Sequence, residues 1–189
     1  MKIFIKHVGL LFLFAIILSC SSDDDNGRNP QDPTDEYFIK ANIDGEERVL
    51  NFENFMTAEL GTVPINDLYK LVLSASRPGG SGEGIQESIS IDFSLDNPIT
   101  VGVYNQPEDL PVGFLHALIS YQNVNLSDEI GETIFVTDIN NPVSSLEITE
   151  LTENTVKGTF SGIVQNPLVE GNINITNGEF FLNLVVINE

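Results

Sequence analysis

The sequence predicts an all-β fold, an antiparallel two-sheet β-sandwich of about nine or ten strands, with a β-barrel as the second choice. Three observations carry that expectation. Most segments of residues 37–189 alternate apolar and polar side chains at period two, the mark of a strand with one face buried and one face wet. Asp44-Gly45 and Asn177-Gly178 are dipeptides that tolerate the positive φ of two-residue hairpins. No repeat period, heptad or βαβ rhythm competes with this pattern, so two packed sheets are the natural way to bury the apolar faces.

The chain opens differently. Lys2 and Lys6 precede residues 8–18, which are apolar except for Gly9 and carry no charge. A helix that crosses a bilayer needs about 20 apolar residues, so this run is too short to span and fits the apolar region of a secretory signal over residues 1–19. It ends in Ile17-Leu18-Ser19-Cys20. That order resembles the lipobox of bacterial lipoproteins. The resemblance implies cleavage before Cys20, a diacylglycerol on its sulfur and acylation of the new amino terminus. The competing reading, a core thiol or half of a disulfide, fails on context: Cys20 is the single cysteine of the chain and is followed by Ser-Ser-Asp-Asp-Asp-Asn. Each buried methylene contributes about 0.8 kcal/mol and one chain binds only marginally, so two or three chains make a lasting membrane anchor at Cys20.

Residues 21–36 hold no hydrophobic side chain and are rich in Asp, Asn, Pro and Gly. Such a composition cannot offset the entropy of ordering, and residues 20–36 are expected to form a lipidated, disordered acidic tether. As a flexible coil it spans roughly 20 to 25 Å, longer where its aspartates repel. Ser22-Asp23-Asp24-Asp25 resembles the acidic export signal of Bacteroidota surface lipoproteins. That implies the outer membrane and the cell surface, with the periplasmic face as the alternative and a plain solvated spacer as the bland reading.

Removing residues 1–19 takes away two lysines and no acid, which leaves six basic and 28 acidic side chains and a formal net charge of −22. A field of that sign repels phosphates, so nucleic acid is excluded as a partner, while cations and basic partners are favoured. The acids are scattered, as on a solvated surface. Residues 37–189 suffice for one core and one domain.

Within that domain Tyr37, Ile39, Ala41 and Ile43 share one face. The clearest strand is Ile85-Gln86-Glu87-Ser88-Ile89-Ser90-Ile91-Asp92-Phe93, where Glu87 is the one break in the apolar side. Ile99, Val101 and Val103 follow, then Ala117, Ile119 and Tyr121, Leu146 and Ile148, Val156, Phe160 and Val164, and finally Phe180, Leu182, Leu184 and Val186. Residues 77–84 and 104–113 read as longer loops from their Pro and Gly content. In residues 108–121, Leu110, Phe114 and Leu118 also fit a short helical stripe, but Gly113 after Pro111 favours loop and then strand. The run Val156–Val164 with its Gly-Thr-Phe, the later Thr-Asn-Gly-Glu-Phe, and Ala41–Gly45 as an Ala-x-Ile-Asp-Gly turn resemble domain-of-unknown-function lipoproteins of Bacteroidota. That resemblance implies a β-sandwich and carries over no catalytic residue.

Chemistry is limited by stoichiometry. His7 leaves with the signal and His116 is the remaining imidazole, so a Cys/His zinc site, a cysteine nucleophile and a paired-histidine site are excluded. The run at residues 79–84 is no nucleophile elbow, because Glu83 stands two after Ser81 where Gly is needed, and no dinucleotide loop, because Ile85 replaces the third Gly. Two carboxylates about 5 to 10 Å apart would serve a glycosidase, but nothing selects a pair among 28 acids. Calcium suits loop aspartates such as Asp23–Gly27 and Asp138–Asn141, neither of which completes a binding-loop motif. No catalytic, cofactor or metal residue is assigned. The leading expectation is a membrane-anchored binding or interaction domain that offers its loops to a glycan or protein partner. A carboxylate hydrolase and a structural envelope component are the alternatives. The absence of Trp weakens the glycan case, since Tyr69, Tyr104 and Tyr121 are poorer stacking groups.

Overall fold

The computed structural model describes residues 36–63, 68–79, 84–105, 117–126, 129–138 and 143–187. The signal at residues 1–19, Cys20 and all of the tether except Glu36 lie outside the described residues, as do Ser81, Glu83 and His116.

The chain enters as Phe38–Ile43 (β1) and returns as Glu46–Leu50 (β2). Asp44 and Gly45 between them have φ of 49° and 88°. Positive φ at both central residues is the turn whose twist matches an antiparallel ribbon, so the Asp-Gly dipeptide makes its expected hairpin. A single 3-10 turn, Glu53–Phe55, leads into Met56–Val63 (β3), Leu68–Pro78 (β4) and Ile85–Leu95 (β5), which pair antiparallel in sequence order. Then come Gly102–Asn105 (β6), Ala117–Asn123 (β7), Ile134–Thr137 (β8), Ser144–Leu151 (β9), Thr155–Gln165 (β10), Asn172–Asn183 (β11) and Val185–Ile187 (β12).

The expectation of an all-β fold holds, but the hydrogen bonding is continuous where two sheets were expected. One curled sheet runs in the order β12-β3-β4-β5-β7-β8-β10-β11-β1-β2, with β9 attached to β10 and β6 to β9. The sheet is a half-barrel. Among the described residues it has twelve strands, and it is mixed, because β12 joins β3 in parallel while the other pairs are antiparallel. The length of β10 explains the continuity. One edge pairs with β11 throughout, while the other is shared by β9 along residues 156–162 and by β8 at Val164 and Gln165. A strand that serves two neighbours on one side bridges what would otherwise be separate layers. The added strands are short, β6 and β8 having four residues each and β12 three.

The core lies inside the curl. Ile39, Ala41 and Ile43 of β1 are buried, as are Leu71, Leu73 and Ala75 of β4, Ile89, Ile91 and Phe93 of β5, Ala117, Ile119 and Tyr121 of β7, and Val156, Phe160 and Val164 of β10. Each fully buried Val, Leu, Ile or Phe side chain contributes roughly 1.5 to 3 kcal/mol of transfer free energy. Gly158, the glycine of the Gly-Thr-Phe run, is forced by this packing. A Cβ there would run into the backbone oxygen of Glu147 and come within 2.6 Å of the Phe180 ring.

Three sequence expectations are corrected. Asn177-Gly178 makes no hairpin: β11 runs straight through it, with Asn177 at φ 50°. The register against β1 and β10 shifts at this point, so the positive φ is spent on a β-bulge. Val101 and Val103 are 57% and 61% exposed. The inward residue of β6 is Tyr104, whose ring packs on Phe93 at 4.7 Å and whose hydroxyl donates to the Thr100 carbonyl at 2.6 Å. Val186 is exposed as well, because the strand ends at Asn183 and the buried Leu184 carries the chain across to a different neighbour.

Candidate functional site

That crossing builds the first site. The Leu184 N–H donates to the Asn154 carbonyl at 2.7 Å, and the next three residues align Val185 with Glu59, Val186 with Leu60 and Ile187 with Gly61. A Cβ on Gly61 would sit 3.1 Å from the Ile187 carbonyl oxygen and 3.3 Å from its Cβ, so the glycine permits the close approach of β12. As the terminal strand of the sheet, β12 leaves Val185, Val186 and Ile187 54%, 45% and 41% exposed.

Two grooves follow the strand, one at its start and one at its end. The first, of about 250 Å³, is lined by Tyr37, Glu53, Met56, Ala58, Glu59 and Val185 among others. The second, of about 210 Å³, is lined by Gly61, Val63, Lys70, Val72 and Ile187, with Glu59 common to both. Glu53 and Glu59 are exposed and have no cationic partner among the described residues, whereas Lys70 is held by Asp92 at 2.6 Å. The Tyr37 ring rests against Phe181 at 5.3 Å. Its hydrogen bond to Glu36 raises the hydroxyl pKa above the usual 10, and desolvation and the Glu36 charge act in the same direction. The corner therefore has an apolar floor and an acidic rim, and Tyr37 places it where the chain from Cys20 enters the domain.

The second candidate is a buried polar cluster. Glu87, the break in the apolar face of β5, points inward, and its side chain is 4% exposed. The Tyr121 hydroxyl donates to Glu87 Oε1 at 2.9 Å, and Asn123 Nδ2 donates to the Tyr121 oxygen at 3.0 Å. Arg48 Nε lies 3.6 Å from Glu87 Oε1 and Arg77 Nη2 lies 3.6 Å from Oε2. Those distances are ion pairs beyond hydrogen-bond range. Arg48 Nη2 reaches Glu46 at 2.6 Å, and Arg77 Nη2 donates to the Val49 carbonyl at 3.3 Å. The Nε atoms of both arginines are buried and have no hydrogen-bond partner among the described residues.

Register brings these groups together, since Arg77, Glu87 and Asn123 are successive cross-strand partners on β4, β5 and β7. Arg48 comes from β2 at the opposite end of the sheet, so the cluster ties that end to the middle. Burial pushes the Tyr121 pKa up to about 12, against a lowering by the Asn123 hydrogen bond and with a further rise from the Glu87 charge. Tyr121 is thus a hydrogen-bond donor at neutral pH and no base.

Of the residues singled out in the sequence, Cys20 and His116 lie outside the described residues. So do residues 139–141 of the loop that begins at Asp138. Among the described residues no three of His, Cys, Asp and Glu come together as a metal-binding group. Sequence reasoning flagged Glu87 as an interruption of period two, which was the available signal for the cluster. It missed β12, whose Leu-Val-Val-Ile run continues β11 without a turn residue. Against known protein families, curated proteins and solved structures, the chain matches none.

Proposed function

We propose that this chain is a lipid-anchored binding domain, moored through Cys20 to the outer membrane and displayed outside the cytoplasm, with the β12 corner as its binding surface. One observation supports this above the others. The groove with an apolar floor, and with acids that have no cationic partner among the described residues, includes Tyr37, so it sits at the end of the domain where the segment from Cys20 attaches. A partner held there would lie within the reach of the tether, roughly 20 to 25 Å from the lipid headgroups. We read the curled sheet as working in the manner of a two-layer sandwich, with β3 against β11 and β4 against β1 and β2. Packing across the curl gives the corner a rigid base, which lowers the entropic cost of binding. The cell surface is the face proposed, from the acidic run after Cys20, and nucleic acid is not among the partners because of the net negative charge.

Two measurements test the reading. Intact-protein mass spectrometry of material from native membranes should show a mature chain that begins at Cys20 and carries diacylglycerol and acyl mass. Protease added to whole cells should degrade the domain. A bare Cys20 sulfur overturns the anchor, and resistance to protease until lysis moves the domain to the periplasmic face.

A further inference from the structure

We propose that β12 is a docking edge that accepts an extended, basic and apolar strand of a partner protein by strand addition. This deepens the binding reading above and rests on it. Besides the four-residue branch that ends at β6, the curled sheet ends at β2 and β12, and these two ends differ. The β2 end carries Glu46, Glu47 and Arg48, and its Val49 carbonyl is taken by the Arg77 guanidinium. Charge and an occupied carbonyl are the ordinary means of keeping an edge strand from pairing with another chain. Among the described residues the β12 end has neither. Its three residues are Val, Val and Ile, all exposed, on the outermost strand.

The surroundings fit an added strand. Alternate side chains of an extended peptide point to the same face of the sheet, and on the face of Val185 and Ile187 a groove of about 250 Å³ lies at the start of β12 and one of about 210 Å³ at its end. Main-chain bonds along the edge supply affinity in this mode, and the grooves choose alternate side chains. Both grooves include Glu59, and the larger adds Glu53. Neither acid has a cationic partner among the described residues. The one lysine of the smaller groove is neutralised by Asp92. The occupant that satisfies apolar floors and free carboxylates together is a strand in which Val or Ile alternates with Lys or Arg. A second copy of this chain is disfavoured, because it would bring its own Glu53 and Glu59 and a net charge of the same large negative sign to the contact.

The test uses the full chain in detergent micelles and two synthetic eight-residue peptides, one alternating Val and Lys and one alternating Val and Glu, titrated by fluorescence anisotropy. The Val/Lys peptide should bind about tenfold or more tightly than its acidic counterpart. Val186→Lys, which places a charge on the edge, and Val186→Pro, which removes a main-chain N–H from it, should each weaken binding by about tenfold. Glu59→Gln should weaken it by a smaller factor, and an unchanged melting temperature for any one of these variants establishes that its fold is intact. Equal affinity for both peptides, no binding of either, or Val/Lys binding untouched by both Val186 variants overturns the proposal. So does a dimer, seen by sedimentation, that Val186→Lys abolishes. Lipid mass at Cys20 is read on the same samples, so loss of the anchor and loss of the docking edge are separate results.

Discussion

Glu87→Gln keeps the shape of the one buried acidic side chain among the described residues and removes its charge, which makes it a clean probe of the polar cluster. The hydrogen bond from Tyr121 at 2.9 Å ends on a carboxylate. Such bonds contribute about 1.5 to 3 kcal/mol, against about 1 kcal/mol for a neutral acceptor. The two ion pairs at 3.6 Å add less, because the Arg48 and Arg77 side chains are 32% and 37% exposed. Screening brings each to about 0 to 1 kcal/mol, whereas a fully buried pair costs 3 to 5 kcal/mol to break. Together these terms give a loss of about 2 to 3 kcal/mol. For a domain of about 150 residues that lowers the melting temperature by about 5 to 10 °C. Urea unfolding followed by circular dichroism measures it, and the slope should stay constant while the midpoint falls. Glu46→Gln is the control, since Glu46 is exposed and contacts the same arginine; its effect should stay within about 0.5 kcal/mol. If Glu87→Gln also falls within that margin, the cluster does not tie β2 to β4 and β5 and the reasoning is wrong.

Tyr121→Phe should change how stability depends on alkaline pH. The folded-state pKa of about 12 lies above the ordinary 10, so the unfolded chain gives up its proton first. The stability this group provides is whole below pH 10 and is lost as pH rises from 10 through 12. The phenylalanine variant should lose that component of the slope in unfolding titrations between those pH values. Gly158→Ala should cost about 3 kcal/mol, at the top of the overpacking range, or prevent folding, because the added methyl meets the Glu147 backbone and the Phe180 ring; the soluble yield and the urea midpoint report it. Val103 and Leu146 lie on the neighbouring strands β6 and β9 but on opposite faces. Val103→Lys should shift stability by less than about 0.5 kcal/mol, while Leu146→Ala should lose about 2 to 5 kcal/mol, a contrast that thermal denaturation resolves.

Which residues face the core was legible wherever period two was clean. Ile89, Ile91 and Phe93, or Ala117, Ile119 and Tyr121, can bury their apolar side in only one way, because a strand alternates by geometry. The first hairpin was legible for a similarly local reason, since Asp44-Gly45 specifies a backbone conformation. Asn177-Gly178 offers the same local chemistry, but its neighbours on both sides are already paired with β1 and β10, so positive φ there makes a bulge in place of a turn. Val101 and Val103 went wrong because Tyr104, larger and able to bond Thr100, took the inward position on a four-residue strand.

Composition and nearest-neighbour geometry are enough to set the strand-forming character of the domain, its net negative charge and most of its buried faces. That Arg48 and Arg77 meet on Glu87, and that Val185–Ile187 ends the sheet exposed with a groove near each of its ends, came from three-dimensional packing alone. Both depend on which distant strands lie side by side, and a period-two pattern is the same whichever neighbour a strand acquires.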